Sequence, residues 1–266
     1  MIINKIKYSI LSIIAASACC SCIGDKGDDP SRKTNSGYVA FDYTCTSFRN
    51  YASLLKQIHH FNRYYIQPTL SERDSVDRLY FRDAKIIHYP DSDKWTIHTL
   101  NASSVYPVIS IKTNGTSLDS KGSRWTVSDF DIYYNEWKTF EFDIENKGDG
   151  EWHIPKHTHA NDYTFEYTAE WNIRFDDDGK NYAMEGSGTL LSIETPKLKL
   201  DYTIIEPIRV FETDNNLLAS SGKVKILATN VNKNLTEETT VYILSNNNVE
   251  ITYNNHIETW DYTVFY

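Results

Sequence analysis

The sequence predicts a mainly β protein, an antiparallel β-sandwich or meander barrel with one N-terminal amphipathic helix. Three observations carry that prediction. In residues 163–175, Tyr163, Phe165, Tyr167, Ala169, Trp171, Ile173 and Phe175 alternate with Thr164, Glu166, Thr168, Glu170, Asn172 and Arg174. Period two is the signature of a half-buried strand. The same period returns in segment after segment towards the C-terminus, and the breaks carry turn dipeptides such as Asp178-Gly179, Asn114-Gly115 and Lys121-Gly122. A single stretch, residues 48–65, abandons period two for spacings of three and four, with Tyr51, Leu54, Leu55, Ile58, Phe61 and Tyr65 forming one stripe.

The order of elements begins with a processing signal. Lys5 and Lys7 precede an apolar run from Ile10 to Ala18, too short to span a membrane as a mature helix. Three of the four cysteines, Cys19, Cys20 and Cys22, follow directly, which is neither a disulfide framework nor two separated pairs of zinc ligands. Ala16-Ser17-Ala18-Cys19 and Ser21-Cys22 both resemble the lipobox of bacterial lipoproteins, in which the cysteine receives lipid. Asp25, Asp28 and Asp29 after Cys22 look like the acidic stretch that sends lipoproteins of Bacteroidota-type bacteria to the outer face of the outer membrane. The resemblance to such outer-membrane lipoproteins covers about thirty residues. It implies lipidation at Cys19 or Cys22 and a membrane partner reached through the anchor. It also implies exposure on the cell surface, the periplasmic face being the alternative.

Residues 1–21 are thus expected to be a signal peptide and 22–37 a flexible acidic linker, reading GDKGDDPSRKTNSG from Gly24 and lacking apolar residues that could pack. A single β-rich domain is expected over 38–266. Residues 38–46 alternate Val39, Phe41, Tyr43 and Cys45 with Ala40, Asp42 and Thr44, which predicts a first strand with Cys45 as a small buried hydrophobe. The helix at 48–65 follows and Pro68 bars its continuation. Thr69-x-x-Glu72 would cap a shorter helix reaching Leu79. Further strands are predicted at 84–88, 94–100, 105–112, 125–134, 139–144, 182–194, 198–211, 224–229, 240–244 and 249–253. Pro207 marks an edge or a bulge in one of them. Residues 146–161 show no period and read as a loop.

The composition bounds the function. Hydrophobic residues make up 40% and aromatic ones 14% of 266, enough for a core, so the domain is not disordered as a whole. Net charge is −9 and no basic cluster follows the signal, which argues against nucleic acid as a partner. His153, His157 and His159 in HIPKHTH are the best metal candidates, yet no Cys or carboxylate stands at a ligating spacing, and the reading is no metal and no cofactor. His59 and His60 are helix neighbours about 100° apart, which suits packing or solvation better than a shared ligand. Glu141, Asp143 and Glu145 fall on one strand face, the wet one. No nucleophile elbow, phosphate loop or zinc-peptidase motif is present, and no catalytic residue is assigned. The strand tryptophans are expected in the core, whereas Trp152, placed in the irregular segment, is the candidate ligand-binding surface aromatic.

The expected function is a non-catalytic, lipid-anchored envelope protein that binds a glycan or a protein partner. A lipocalin-like carrier of a small apolar ligand, a glycan-active enzyme and an integral outer-membrane β-barrel are the alternatives. The last is raised by the alternation of Trp260, Tyr262, Val264 and Tyr266 at the chain end.

Overall fold

The computed structural model describes residues 36–65, 84–92, 94–99, 107–113, 123–128, 141–160, 165–177, 179–192, 197–212, 217–245 and 248–261, with Thr69 and Ser71. The expected lipobox, the expected linker up to residue 35 and, except for Thr69 and Ser71, the expected second helix lie outside the described residues, while Ser36 and Gly37, expected at the end of the linker, already belong to a helix. After helix α1 (Ser36–Tyr65) come thirteen strands. They are β1 (Ala84–Tyr89), β2 (Lys94–Thr99), β3 (Pro107–Thr113), β4 (Ser123–Ser128), β5 (Phe142–Gly148), β6 (Glu151–Ala160) and β7 (Phe165–Phe175). There follow β8 (Tyr182–Ser192), β9 (Leu198–Glu212), β10 (Leu217–Asn230), β11 (Leu235–Ile243), β12 (Asn248–Tyr253) and β13 (His256–Asp261). Each strand pairs antiparallel with its neighbours in sequence, giving one open thirteen-stranded meander.

The β7–β8 hairpin has the geometry its sequence requires. Gly179 holds φ +73°, Asp176 Oδ1 accepts from the backbone N–H groups of Lys180 and Asn181, and register runs without a slip from Phe175·Tyr182 to Phe165·Ser192. Tyr167, Ala169, Trp171, Ile173 and Phe175 are buried, and Glu166, Thr168, Glu170, Asn172 and Arg174 point the other way. Asp143 is exposed on the same outer side as expected, whereas Glu145, expected on the wet face with it, is buried and pairs with Lys147.

Two predicted elements are overturned. Residues 38–46 are not a strand but the first turns of α1. Their alternation is equally a helical pattern, since Phe41, Cys45, Phe48, Ala52 and Leu55 recur every three or four residues and all are buried. Residues 146–161 are not a loop, because they hold the end of β5, a two-residue turn and all of β6. Pro155 conceals the strand. Between Ile154·Trp171 and His157·Ala169 the ladder takes one extra residue on β6, a bulge at a residue with no N–H to give. The bulge exchanges the parity of the inward face, from Trp152 and Ile154 to His157. Pro207 behaves as expected, at an irregularity where the β8–β9 ladder jumps from Met184·Ile208 to Ser187·Thr203. β13 was not predicted as a strand of its own. Its hairpin turn, Asn254-Asn255 with φ +49° and +63°, is the two-residue type that needs positive φ at both positions.

The inner face of the sheet surrounds α1. Phe61 stands edge-on to Trp95 of β2 and Trp125 of β4, His59 stacks on Phe175 of β7, and Phe48 meets Trp171 and Tyr202 of β7 and β9. α1 also lies against β10, β11 and β12. Eleven strands about 4.8 Å apart would extend about 48 Å if flat, whereas a helix with its side chains is about 10–12 Å across, so the sheet must curl around it. α1 is accordingly buried over much of its surface, with Phe41, Phe48, Tyr51, Leu54, Leu55, Ile58 and Phe61 fully covered. Glycines make the room. Gly186 lies opposite Trp171 and Gly188 opposite Tyr202. A Cβ on Gly188 would stand 2.3 Å from the Tyr202 hydroxyl oxygen and 2.5 Å from the Thr168 carbonyl oxygen.

The helix runs along the strands with a defined direction. His59 is beside the last residue of β7 and Tyr51 is beside Trp171, so moving back along α1 moves back along β7. Fifteen residues further back from Tyr51, at about 1.5 Å each, Ser36 falls level with the start of β7. We refer to that end of the sheet as the lower end and to the β7–β8 turn as the upper end.

Candidate functional site

Asp42, Arg49, Asn50, Lys56, Gln57, Asn62 and Arg63 of α1 keep part of their surface, but Ser47, Tyr51 and His59 are buried, and the structure answers with a seam of individual pairs. Ser47 Oγ lies 3.1 Å from the Tyr202 hydroxyl, the Tyr51 hydroxyl lies 2.9 Å from His157 Nε2, and Trp152 Nε1–H donates to His59 Nδ1 at 3.1 Å. Ser47, Tyr51 and His59 occupy one row of four-residue spacing along the helix, so they share a face. That row is written in the sequence, but its partners on β9 and β6 are not.

The protonation states follow from the partners. His157 Nδ1 is 3.1 Å from the Pro155 carbonyl, which can only accept, so Nδ1 carries the proton and Nε2 receives the hydrogen bond from Tyr51. The phenyl ring of Phe142 stacks on that imidazole at 4.6 Å. Burial lowers the pKa of His157 and raises that of Tyr51 well above the usual phenol value. In His59, Nδ1 accepts from Trp152, so the proton sits on Nε2, a buried atom with no hydrogen-bond partner among the described residues. Burial first, and the Arg63 guanidinium second, hold its pKa down at about 4. Burial also depresses His60 to about 3, with Lys56 and His59 adding to the shift and a hydrogen bond to the Gly179 backbone opposing it. At neutral pH the paired side chains of the seam are therefore uncharged.

The candidates from sequence are dispersed by this geometry. Trp152 is not a surface aromatic in a loop; it is an inward residue of β6 with 1% of its surface exposed, packed edge-on against Trp125 and bonded to His59. Trp95, Trp125 and Trp171 are core residues as expected. His153 points outward, its Nδ1 2.8 Å from Asn172 Oδ1, whereas His157 points inward, because the bulge at Pro155 separates their faces. His159 stands opposite Tyr167 in the ladder. Among the described residues no group of three or more His, Cys, Asp or Glu side chains is placed to hold a metal ion. Cys19 and Cys22 lie outside the described residues.

The seam holds α1 against β6 and β9. A hydroxyl and an imidazole meet at Tyr51 and His157, but the imidazole accepts from a phenol whose pKa is raised, the reverse of an activated nucleophile. Among the described residues, the carboxylates that have strand partners sit on the outer wall, where Asp201 accepts from Thr189 and Glu238 pairs with Lys225. No described helix is long and apolar enough to cross a membrane. Comparison with protein-family models, with curated proteins and with solved structures finds no match for this chain.

Proposed function

We propose that the protein is a lipid-anchored, surface-exposed envelope lipoprotein whose folded domain is a non-catalytic module for a glycan or a protein partner. The observation that carries this reading is the order of segments at the N-terminus: basic residues, an apolar run, small residues before Cys19 and Cys22, then Asp25, Asp28 and Asp29. We further read the curled sheet as an open meander barrel with α1 as its filling, since strands from β2 to β12 reach one helix. Two rivals lose support on the same ground. A carrier needs its interior for the ligand, and α1 occupies it. A membrane-spanning barrel needs an apolar outer wall, and the outer positions of β7 to β11 include Glu166, Glu170, Arg174, Glu185, Asp201, Lys225 and Glu238. An enzyme acting on glycans would place two carboxylates about 5–10 Å apart across a groove.

Growth with labelled palmitate tests the anchor. Label is expected in the wild-type chain and is expected to vanish in the Cys19→Ala/Cys22→Ala double variant. Label retained by the double variant removes the lipoprotein reading. Protease added to intact cells is expected to digest the domain, and full protection would transfer it to the periplasmic face.

A further inference from the structure

The structure brings together, at the lower end of the sheet, the start of α1 and an exposed apolar hairpin tip. The β10–β11 turn reads Val231-Asn232-Lys233-Asn234 and runs into Leu235, with Val231 44% and Leu235 42% exposed. The backbone of this tip is fixed, since the Val231 N–H donates to the Lys197 carbonyl and the Lys233 N–H to Asn230. Such side chains at a turn have no core to reach. Exposed apolar residues also occur at the upper end, at Tyr89, Phe211 and Leu244, so exposure alone does not single out a face.

Two further observations do. The first is where the chain outside the described residues joins. Ser36 is at the lower end, 14 residues after Cys22 and 17 after Cys19. A coil of 14 residues has an r.m.s. span of about 20 Å, well short of the about 45 Å that α1 covers, so a lipid on either cysteine holds this end nearer the bilayer than the other. The second is charge. The described turns of the lower end, at 231–234 and 254–255, carry Lys233 and asparagines, with Lys197 and His256 beside them, and the nearest carboxylates on that hairpin, Glu237 and Glu238, lie up the strand. Three upper turns carry Asp91, Asp149, Asp176 and Asp177, with Lys180 in the last of them and Lys94 and Lys147 beside the other two, so the carboxylates still outnumber the cations there. An anionic lipid surface attracts the first set and repels the second.

We propose that the β10–β11 tip docks on the anionic, phosphate-bearing lipid surface that holds the anchor, Val231 and Leu235 entering the headgroup region with Lys197 and Lys233 against the phosphates. The inference rests on the lipoprotein reading above. Two apolar side chains would bind a membrane weakly from solution, but a tether of this length makes the encounter intramolecular and raises the effective concentration to the millimolar range. The domain then stands upright, its upper turns turned away from the bilayer and free for a partner.

The test uses the full lipidated chain in vesicles of phosphatidylethanolamine and phosphatidylglycerol. With whichever of Cys20 and Cys22 remains as a thiol beside the lipidated cysteine replaced by Ser, and Cys45 buried, a fluorophore is placed at Asn232→Cys or, as the upper-end control, at Asp177→Cys, and quenching by nitroxide-headgroup lipid is read. Quenching at position 232 is expected to exceed that at 177 at least threefold, and the ratio is expected to fall towards one in Val231→Asp/Leu235→Asp and in vesicles of phosphatidylcholine alone. The milder pair Val231→Ser/Leu235→Ser, checked by circular dichroism, covers any loss of folding in the Asp pair. Equal quenching at both positions, or a ratio that survives both pairs, overturns the docking while flotation with the vesicles still upholds the anchor. A wild-type chain that neither floats nor carries acyl label removes the anchor itself, and the docking with it.

Discussion

α1 and β7 treat their polar residues in opposite ways. β7 sorts by parity, with five inward side chains buried and Glu166, Thr168, Glu170, Asn172 and Arg174 on the side that reaches water, so the polar groups of its outer face do not depend on α1. α1 is enclosed by the sheet along the face that carries Ser47, Tyr51 and His59, so each of these needs a named atom on a distant strand. A strand with a wet face therefore tolerates polar substitution at every second position, and an enclosed helix at few.

The largest test of that contrast is Trp171→Ala on the inner side of β7. It removes the ring that meets Phe48, Tyr51 and Tyr202, and is expected to cost about 3–5 kcal/mol in urea unfolding. Glu170→Ala, one residue away and facing water, is expected to stay within about 0.5 kcal/mol. If the two cost the same, β7 is not sorted by parity.

Next is overpacking at the Gly188·Tyr202 pair. Gly188→Ala places a methyl against the Tyr202 hydroxyl and the Thr168 carbonyl, and is expected to cost about 1–3 kcal/mol and to weaken the Ser47 bond. A crystal structure of the variant with Tyr202 unmoved would contradict this.

Acid is a comparable probe of α1. His59 and His60 are held neutral when folded, with pKa values of about 4 and about 3, against about 6.5 when unfolded. The unfolded chain thus binds the extra protons, and stability is full above about pH 6.5 and declines as pH falls towards the folded values. Each histidine is expected to contribute a loss of about 2 kcal/mol between pH 7 and pH 5. His59→Phe is expected to flatten the slope measured by denaturant unfolding at a series of pH values, and an unchanged slope would show that His59 is not enclosed.

The smallest effect sharpens the seam. Tyr51→Phe leaves His157 Nε2 buried without its donor, with an expected cost of about 1–2 kcal/mol, whereas Lys225→Ala on the outer wall breaks an exposed pair and is expected to cost about 0.2–1 kcal/mol.

Much of the sheet could be read before folding. The β7–β8 hairpin, β9 with its irregularity at Pro207, and the core positions of Trp95, Trp125 and Trp171 follow from period two and turn chemistry, which are local. The helix at 48–65 was equally legible, and Asn254-Asn255 was a signal for β13 that alternation alone passed over. The misreadings have two causes. Residues 38–46 satisfy period two and period 3.6 together, and β6 carries a proline bulge that exchanges its faces midway. In both, the local pattern is ambiguous and the surroundings decide.

What the sequence by itself determined is which face of each regular strand is dry, because neighbouring side chains on a strand point to opposite sides whatever the rest of the chain does. It also carries the order of basic, apolar, small and cysteine residues on which the proposed anchor rests. The tertiary structure alone decided that residues 36–47 are helical, that Trp152 is core and that His153 and His157 part company. It alone paired His59 with Trp152, Tyr51 with His157 and Ser47 with Tyr202, across 93, 106 and 155 residues of chain. No local period encodes a partner at that distance; it is fixed only when the sheet packs over one helix and each polar group left inside must find the atom within reach.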